Sequence, residues 1–414
     1  MKEKQSLKFS AYDLRWTLSL FGTAVGAGIL FLPIKAGAAG VLPVVVMAFL
    51  ALPMAYLSHL ALARFCNGTS VKEADITQAS QEYFGKNVSL AITALYFFAF
   101  FPACIMYGVG ITNTLMSFFA NQLGYEASRF WVCFSIITLM MVVMILTEDI
   151  VIKVCEWLVY PLCAVLLLFS LYLIPHWNFS GILATAPSFS DFVLVVFFAL
   201  PVLAFSFEHT PAISTFAAAM RRHYGEQSDA KCAQILWVNS LLLLFFIMFF
   251  VLSCVLSLSG EDFALAKEQN IPIVSYFANK FDEPLISYVA PLIAVLAIAT
   301  SFFGHYFGAK EGLNALCVRA FERATHKTPD KRKLQALSTI FFYAVMLSFS
   351  YLNPSILGII DTLAGPVIAA VLFLLPLAGF YRVKKLAKYK NTAADIFVGV
   401  FGILTIITVI FKMF

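Results

Sequence analysis

Apolar runs of roughly 20 residues recur from one end of this chain to the other, each long enough to cross a bilayer. Their spacing predicts helices near 14–36, 41–66, 88–119, 130–147, 150–174, 190–220, 231–258, 284–309, 335–352, 356–380 and 393–412. Longer polar segments fall at 67–87, 259–283 and 310–334. The last should carry a helical extension, because Glu311 to Glu322 mixes apolar and charged positions with no Gly or Pro after Gly312. Two of the eleven runs are interrupted. The first holds Gly22-Thr23-Ala24-Val25-Gly26-Ala27-Gly28, and the sixth holds Phe205-Ser206-Phe207-Glu208-His209-Thr210-Pro211. Hydrocarbon offers no hydrogen-bond partners, so a helix broken at membrane depth is tolerated only where it faces protein or a cavity. Breaks at matching places in two halves of a chain point to a transporter whose site lies between them. The reading is an all-α integral membrane protein of one domain, with a five-helix repeat over 1–175, an inverted second over 190–380, and an eleventh helix at 393–412. No sequence identity links the halves; the matching breaks alone carry the repeat.

Composition agrees with the pattern. The chain is 61% hydrophobic and 12% charged, against about 45–50% and 25% in soluble domains. No cleavable signal peptide is expected, since the first apolar run leads into further spans. With the N-terminus in the cytoplasm, 23 Lys and Arg fall on the inside segments and five on the outside, together the 28 of the chain. An odd number of spans then puts Phe414 outside, in a bacterial cytoplasmic membrane. The net charge of +5 is therefore an orientation signal rather than a nucleic-acid footprint. The eight cysteines form no C-x-x-C pair and read as small core side chains.

The breaks supply the candidate chemistry. Three glycines in seven residues let the main chain unwind and let a ligand approach it. A second half-helix starting near Gly28 presents free N–H groups and a positive dipole end, which suit a carboxylate. Thr23, Gly26, Ala27 and Gly28 are thus substrate candidates, with helix packing through Gly22 and Gly26 as the plainer reading. In the sixth run, Pro211 withholds an N–H. Phe205 is expected against the substrate side chain, and Ser206 to bond it or lend its backbone. Glu208 is a candidate to meet the substrate ammonium or carry a proton, against a structural acid serving freed N–H groups. A buried acid and imidazole are costly without a partner or cavity; His209 reads first as a bonded interior histidine. Tyr107 is a candidate wall or hydroxyl contact. His305 is a proton shuttle or an interhelical bond. Glu148 and Asp149 read as solvated loop acids between the fourth and fifth spans.

Phe21-Gly22-Thr23-Ala24-Val25-Gly26-Ala27-Gly28, Phe302-Phe303-Gly304-His305-Tyr306 and Glu311-Gly312-Leu313-Asn314 resemble the bacterial hydroxy and aromatic amino acid permeases, the serine/threonine branch most closely. Tyr107-Gly108 with Ile111-Thr112-Asn113, and Asn353-Pro354, add to the likeness, which covers nearly the whole chain. The resemblance implies the LeuT-type fold of the amino acid–polyamine–organocation superfamily and ion-driven uptake of an L-amino acid. Sodium-coupled relatives of that fold carry an Ala-x-x-Thr-Ser pattern in the eighth span, matched here by Ala297, Thr300 and Ser301. With the carbonyls of Gly22, Val25 and Ala297, the two hydroxyls would make a monovalent cation site. Serine/threonine permeases are similar around Ser301 but carry Lys where this chain has Thr300. A fixed ammonium there is consistent with proton coupling, so the departure keeps sodium in play; the plainer reading bonds both hydroxyls back to the preceding turn.

A symporter for a small L-amino acid, serine or threonine first, is the expected function, proton-coupled by resemblance, with sodium coupling or an aromatic substrate as alternatives. No cofactor is expected beyond a coupling ion, H+ or Na+. The bilayer and the amino acid are the expected partners. A channel would need a continuous polar pore rather than polar residues gathered at two breaks and one span. A membrane enzyme would need a constellation such as H-E-x-x-H, which is absent. A receptor would be expected to carry a sensing domain.

Overall fold

The computed structural model describes residues 8–37, 40–71, 74–146, 148–179 and 188–413. Phe414, and Lys2, Lys4 and Lys72 among the 23 inside cations counted above, lie outside these residues. Among the described residues there are helices and turns and no strand. Among the described residues, nine helices are long and apolar enough to cross a membrane, ten when one bent pair is taken as a single span. Arg129–Val143 is a shorter apolar helix. The chain is a multi-pass membrane protein, and its surface carries large exposed apolar side chains such as Phe49, Trp157 and Phe189.

The helices run α1 Ala11–Ala24, α2 Ala27–Ala36, α3 Val41–Asn67, α4 Ile76–Asn121, α5 Arg129–Val143, α6 Glu148–Tyr172, α7 Phe189–Ser206, α8 Thr210–Tyr224, α9 Ser228–Ser257, α10 Gly260–Glu268, α11 Ile273–Lys280, α12 Pro284–Thr325, α13 Lys331–Leu352, α14 Ile356–Arg382 and α15 Thr392–Met413. The first expected break separates α1 from α2, which meet at 54°. The second separates α7 from α8 at Phe207 to His209. The extension expected beyond 310 is present, since α12 continues to Thr325.

Three segments differ from the expectation. The polar stretch 67–87 holds the first turns of α4, capped by Asp75 through Gln78 N–H at 2.7 Å and kinked at Gly85, whose φ of 78° only glycine adopts readily. The stretch 259–283 holds α10 and α11, the first started by a capping box between Ser259 and Asp262. Both runs are too short and polar to stand out from loops by periodicity. Glu148 and Asp149 open α6 rather than sitting in a loop.

Two side-chain clusters tie the ends of the first span to the rest. Asp13, fully buried at the start of α1, accepts from Lys231 Nζ at 2.8 Å and Tyr224 O–H at 2.6 Å, joining α1 to α9 and α8. At the far end of α2, Lys35 Nζ donates to Asp361 Oδ2 at 2.7 Å. Asp361 sits on a π-helical turn of α14, Ile360–Ala364, of a kind that often marks functional sites.

Candidate substrate and ion site

The two breaks abut. A Cβ at Gly28 would lie 2.7 Å from Ser206 Cα and 2.9 Å from the Phe205 carbonyl oxygen, so only glycine lets the backbones approach this closely. Gly26 faces α12 with equal constraint: its Cβ would lie 2.3 Å from both Cβ and Oγ of Ser301. No side chain caps the N-terminus of α2, where the N–H groups from Gly26 onward have no carbonyl one turn back. Ala27 and Gly28 form its first turn, fully walled by protein.

A hydrogen-bonded chain links the breaks through α12 and α4. Ser301 Oγ donates to the Thr23 carbonyl at 2.8 Å, and the Tyr107 hydroxyl lies 2.7 Å from Ser301 Oγ. His305 Nδ1 lies 2.9 Å from the Ser301 carbonyl, 3.3 Å from the Tyr107 hydroxyl and 3.4 Å from Ser301 Oγ. His305 Nε2 meets Glu208 Oε2 at 2.7 Å, and Glu208 Oε1 accepts Thr210 N–H at 2.7 Å. Glu208 thus serves one freed backbone N–H, that of Thr210, as the plainer reading expected, and also meets His305, a partner the sequence reading did not give it. Phe205 stacks toward Tyr107 with ring centres 6.4 Å apart and lies 6.1 Å from the His305 ring.

His59 and Asn239 complete the second break, and neither was singled out from sequence. His59 Nδ1 bonds the Ala55 carbonyl at 2.7 Å, so its Nε2 is free to accept His209 N–H at 3.2 Å. The two imidazoles stack at 3.6 Å with planes 2° apart. His209 Nδ1 bonds the Phe207 carbonyl at 3.0 Å, and Asn239 Nδ2 donates to its Nε2 at 3.3 Å. His209 is thus a bonded interior histidine. The one available signal for His59 was an imidazole alone in a 27-residue apolar helix.

A cavity of about 290 Å³ reaches this region from the Tyr12 and Arg15 end of α1 and is lined at its depth by Gly22, Thr23, Thr300 and Gly304. Tyr107, Phe205, Ser206 and Glu208 do not line it. Thr300 Oγ1 donates back to the carbonyls of Leu296 and Ala297 at 3.0 and 3.1 Å, whereas Ser301 reaches across to the break. Ser206 Oγ likewise bonds back, to Val202 at 2.7 Å, leaving its backbone as the part at the break. Val25 closes α1 through its N–H to Phe21 at 2.9 Å.

Residues 15–413 match the model of the tryptophan/tyrosine permease family. The chain belongs to the tryptophan/tyrosine permease family. This permease is 42% identical over 408 residues to the serine transporter SdaC of Escherichia coli K12, covering 97% of the chain and 95% of that protein. It is 40% identical over 423 residues to the threonine/serine transporter TdcC of Escherichia fergusonii, covering 97% and 96%. Its fold is similar to that of a manganese transporter from Eremococcus coleocola, with a TM-score of 0.60 at 15% identity, covering all of this chain and 88% of that one. Both the family and these relatives are permeases or transporters, so this permease is a transport protein and not an enzyme.

Proposed function

We propose that this permease is an ion-coupled symporter that imports serine or threonine across the bacterial cytoplasmic membrane. The observation that carries the reading is the contact of the two breaks, Gly28 against Ser206, inside a relative of serine and threonine/serine transporters. The uncapped first turn of α2 receives the substrate carboxylate. The carbonyls around Thr23 and Phe205, with Glu208 nearby, receive the ammonium. Phe205 and Tyr107 bound a small side-chain space. The architecture is the LeuT-type 5+5 inverted repeat plus one helix, eleven spans in all: α1 with α2 is the first span, α7 with α8 the sixth, α5 the short fourth. The N-terminus is cytoplasmic and the C-terminus outside. The cavity beside Tyr12 and Arg15 is then the cytoplasmic vestibule of an inward-facing state.

The branch it resembles favours proton coupling. A second reading, sodium held by the Gly22, Val25 and Ala297 carbonyls with Thr300 and Ser301, is favoured by Thr300 and Gly22 lining the same cavity wall. Uptake of radiolabelled serine and threonine into proteoliposomes, under an imposed proton or sodium gradient, tests both. Concentrative uptake under either gradient supports symport. Sodium-driven uptake lost in Thr300→Lys supports the cation site. Dissipative flux that ignores both gradients counts against symport altogether.

A further inference from the structure

Two stretches of the chain take no part in either break: Glu311-Gly312-Leu313-Asn314 on α12, and the basic start of α13, Lys331, Arg332 and Lys333. They meet at one groove. A Cβ at Gly312 would lie 3.0 Å from Phe97 Cα, so that side of α12 is closed against α4. The neighbouring face of α12 carries Phe307, Lys310, Glu311 and Asn314 at i, i+3, i+4 and i+7, and it lines a groove of about 700 Å³. Arg332, Gln335 and Thr339, one face of α13, line it as well. The ionisable side chains in this wall are Lys310, Arg332 and Glu311, which sum to one positive charge. Lys310 Nζ donates to Thr339 Oγ1 at 3.1 Å and lies 5.5 Å from the centre of the Tyr306 ring. Among the described residues, neither Lys310 nor Arg332 pairs with a carboxylate. The first turn of α13 holds three cations and no acid, in opposition to the positive end of its dipole. Asp330 at the N-cap offsets one of those charges and leaves two in excess.

The rest of the lining is apolar and bare. Ile145 and Leu146, just past α5, and Ile340 of α13 are 70%, 45% and 63% exposed. A small hydrophilic ligand would leave these side chains uncovered, whereas a hydrocarbon chain would cover them. We propose that the groove holds an anionic phospholipid, with its phosphate against Lys310 and Arg332 and an acyl chain along Ile145, Leu146 and Ile340. A phosphodiester brings the single negative charge that the wall lacks. The side-chain amides of Asn314 and Gln335 are on hand as donors for the headgroup oxygens. Phe307 lines both this groove and the vestibule cavity, so the lipid sits at the vestibule end of the bundle. In the topology proposed above that end is in the cytoplasmic leaflet, where anionic lipid attracts basic segments. The site depends on neither the substrate nor the coupling ion.

Native mass spectrometry of the full-length protein in detergent, titrated with phosphatidylglycerol or with zwitterionic phosphatidylethanolamine, tests this. Wild type should retain phosphatidylglycerol the more tightly; equal retention of the two lipids overturns the inference without recourse to any variant. Arg332→Gln should weaken phosphatidylglycerol binding about fivefold, the effect expected per cation near a membrane surface, and leave phosphatidylethanolamine unchanged. Lys333→Gln removes the same charge one residue away, outside the groove lining, and should bind both lipids as wild type does. An equal loss in the two variants overturns the site, because it describes diffuse attraction to a basic surface. Glycerophosphoglycerol, the headgroup without its chains, should fail to displace the lipid; displacement at matching concentration overturns the lipid as occupant in favour of a soluble phosphate. Phosphatidylglycerol should also raise the melting temperature of wild type by more than that of Arg332→Gln, and equal shifts would count against the site. None of these readings uses transport, so they stand or fall apart from the symport reading, which uptake into proteoliposomes decides.

Discussion

Gly26 has little room to change. Its missing side chain admits Ser301, and any Cβ there would sit 2.3 Å from two atoms of that serine. In Gly26→Ala the clash must be relieved by moving α2 or α12. Overpacking of this kind costs about 1–3 kcal/mol. The expected outcome is protein that still inserts in the membrane but melts at lower temperature and loses most of its serine uptake; wild-type uptake would refute the close-approach argument. The glycine cluster was legible in the sequence because three glycines within seven residues have few uses inside an apolar helix. His59 was not. Its bond is to a residue 150 positions away, and a single imidazole in an apolar run reads first as packing. Thr300 and Ser301 show the same limit from the other side. Adjacent hydroxyls on one helix look equivalent in sequence, yet one bonds back along its own turn and the other crosses to α1.

At the scale of elements, the long apolar helices and both breaks were visible as hydropathy and punctuation. The short helices between them were not, since their stability comes from caps and partners rather than from an apolar face. The α10–α11 hairpin illustrates this. Asp262 caps α10, accepts Tyr276 O–H at 2.7 Å and pairs with Lys280 Nζ at 2.6 Å. Burial pushes its carboxyl up, but Lys280, Tyr276 and the Ser259 donors outweigh burial and bring it down from its ordinary 3.8 to about 2. A depressed carboxyl contributes stability that is present above its unfolded value and is lost as pH falls through the folded one. The hairpin should therefore hold above about pH 4 and loosen between there and about pH 2. Limited proteolysis of 259–283 across that window checks this, with Asp262→Asn as control. The variant should be loosened already near neutral pH, and equal protection in both proteins at every pH would count against the cap.

At the scale of the whole molecule, the cavity opens beside Tyr12 and Arg15, while Lys35 and Asp361 join α2 to α14 at the opposite end of the same span. Their side chains are 20% and 9% exposed, so the pair is largely shielded. In the transport cycle proposed above, removing one charge should weaken closure at that end by more than the roughly 1 kcal/mol of an exposed pair, which is more than about fivefold in the ratio of the two states. Hydrogen–deuterium exchange should rise over α2 and 259–283 in Lys35→Gln and fall around α1; an unchanged pattern would separate this pair from closure. That geometry was beyond sequence reading, because it depends on residues 326 positions apart meeting across the bundle.

The contact of Gly26 with Ser301 also has a mechanical side. It leaves the apex of the 54° bend no room to slide against α12. The 14-residue α1 is then a lever about 21 Å long with its fulcrum at the glycine, and each ~10° of swing carries its free end roughly 4 Å. Asp13 sits at that free end, gripped by Tyr224 of α8 and Lys231 of α9. In the proposed cycle those helices would be the handle: a turn of α8 about the second break would act on the far end of the arm, where leverage is greatest.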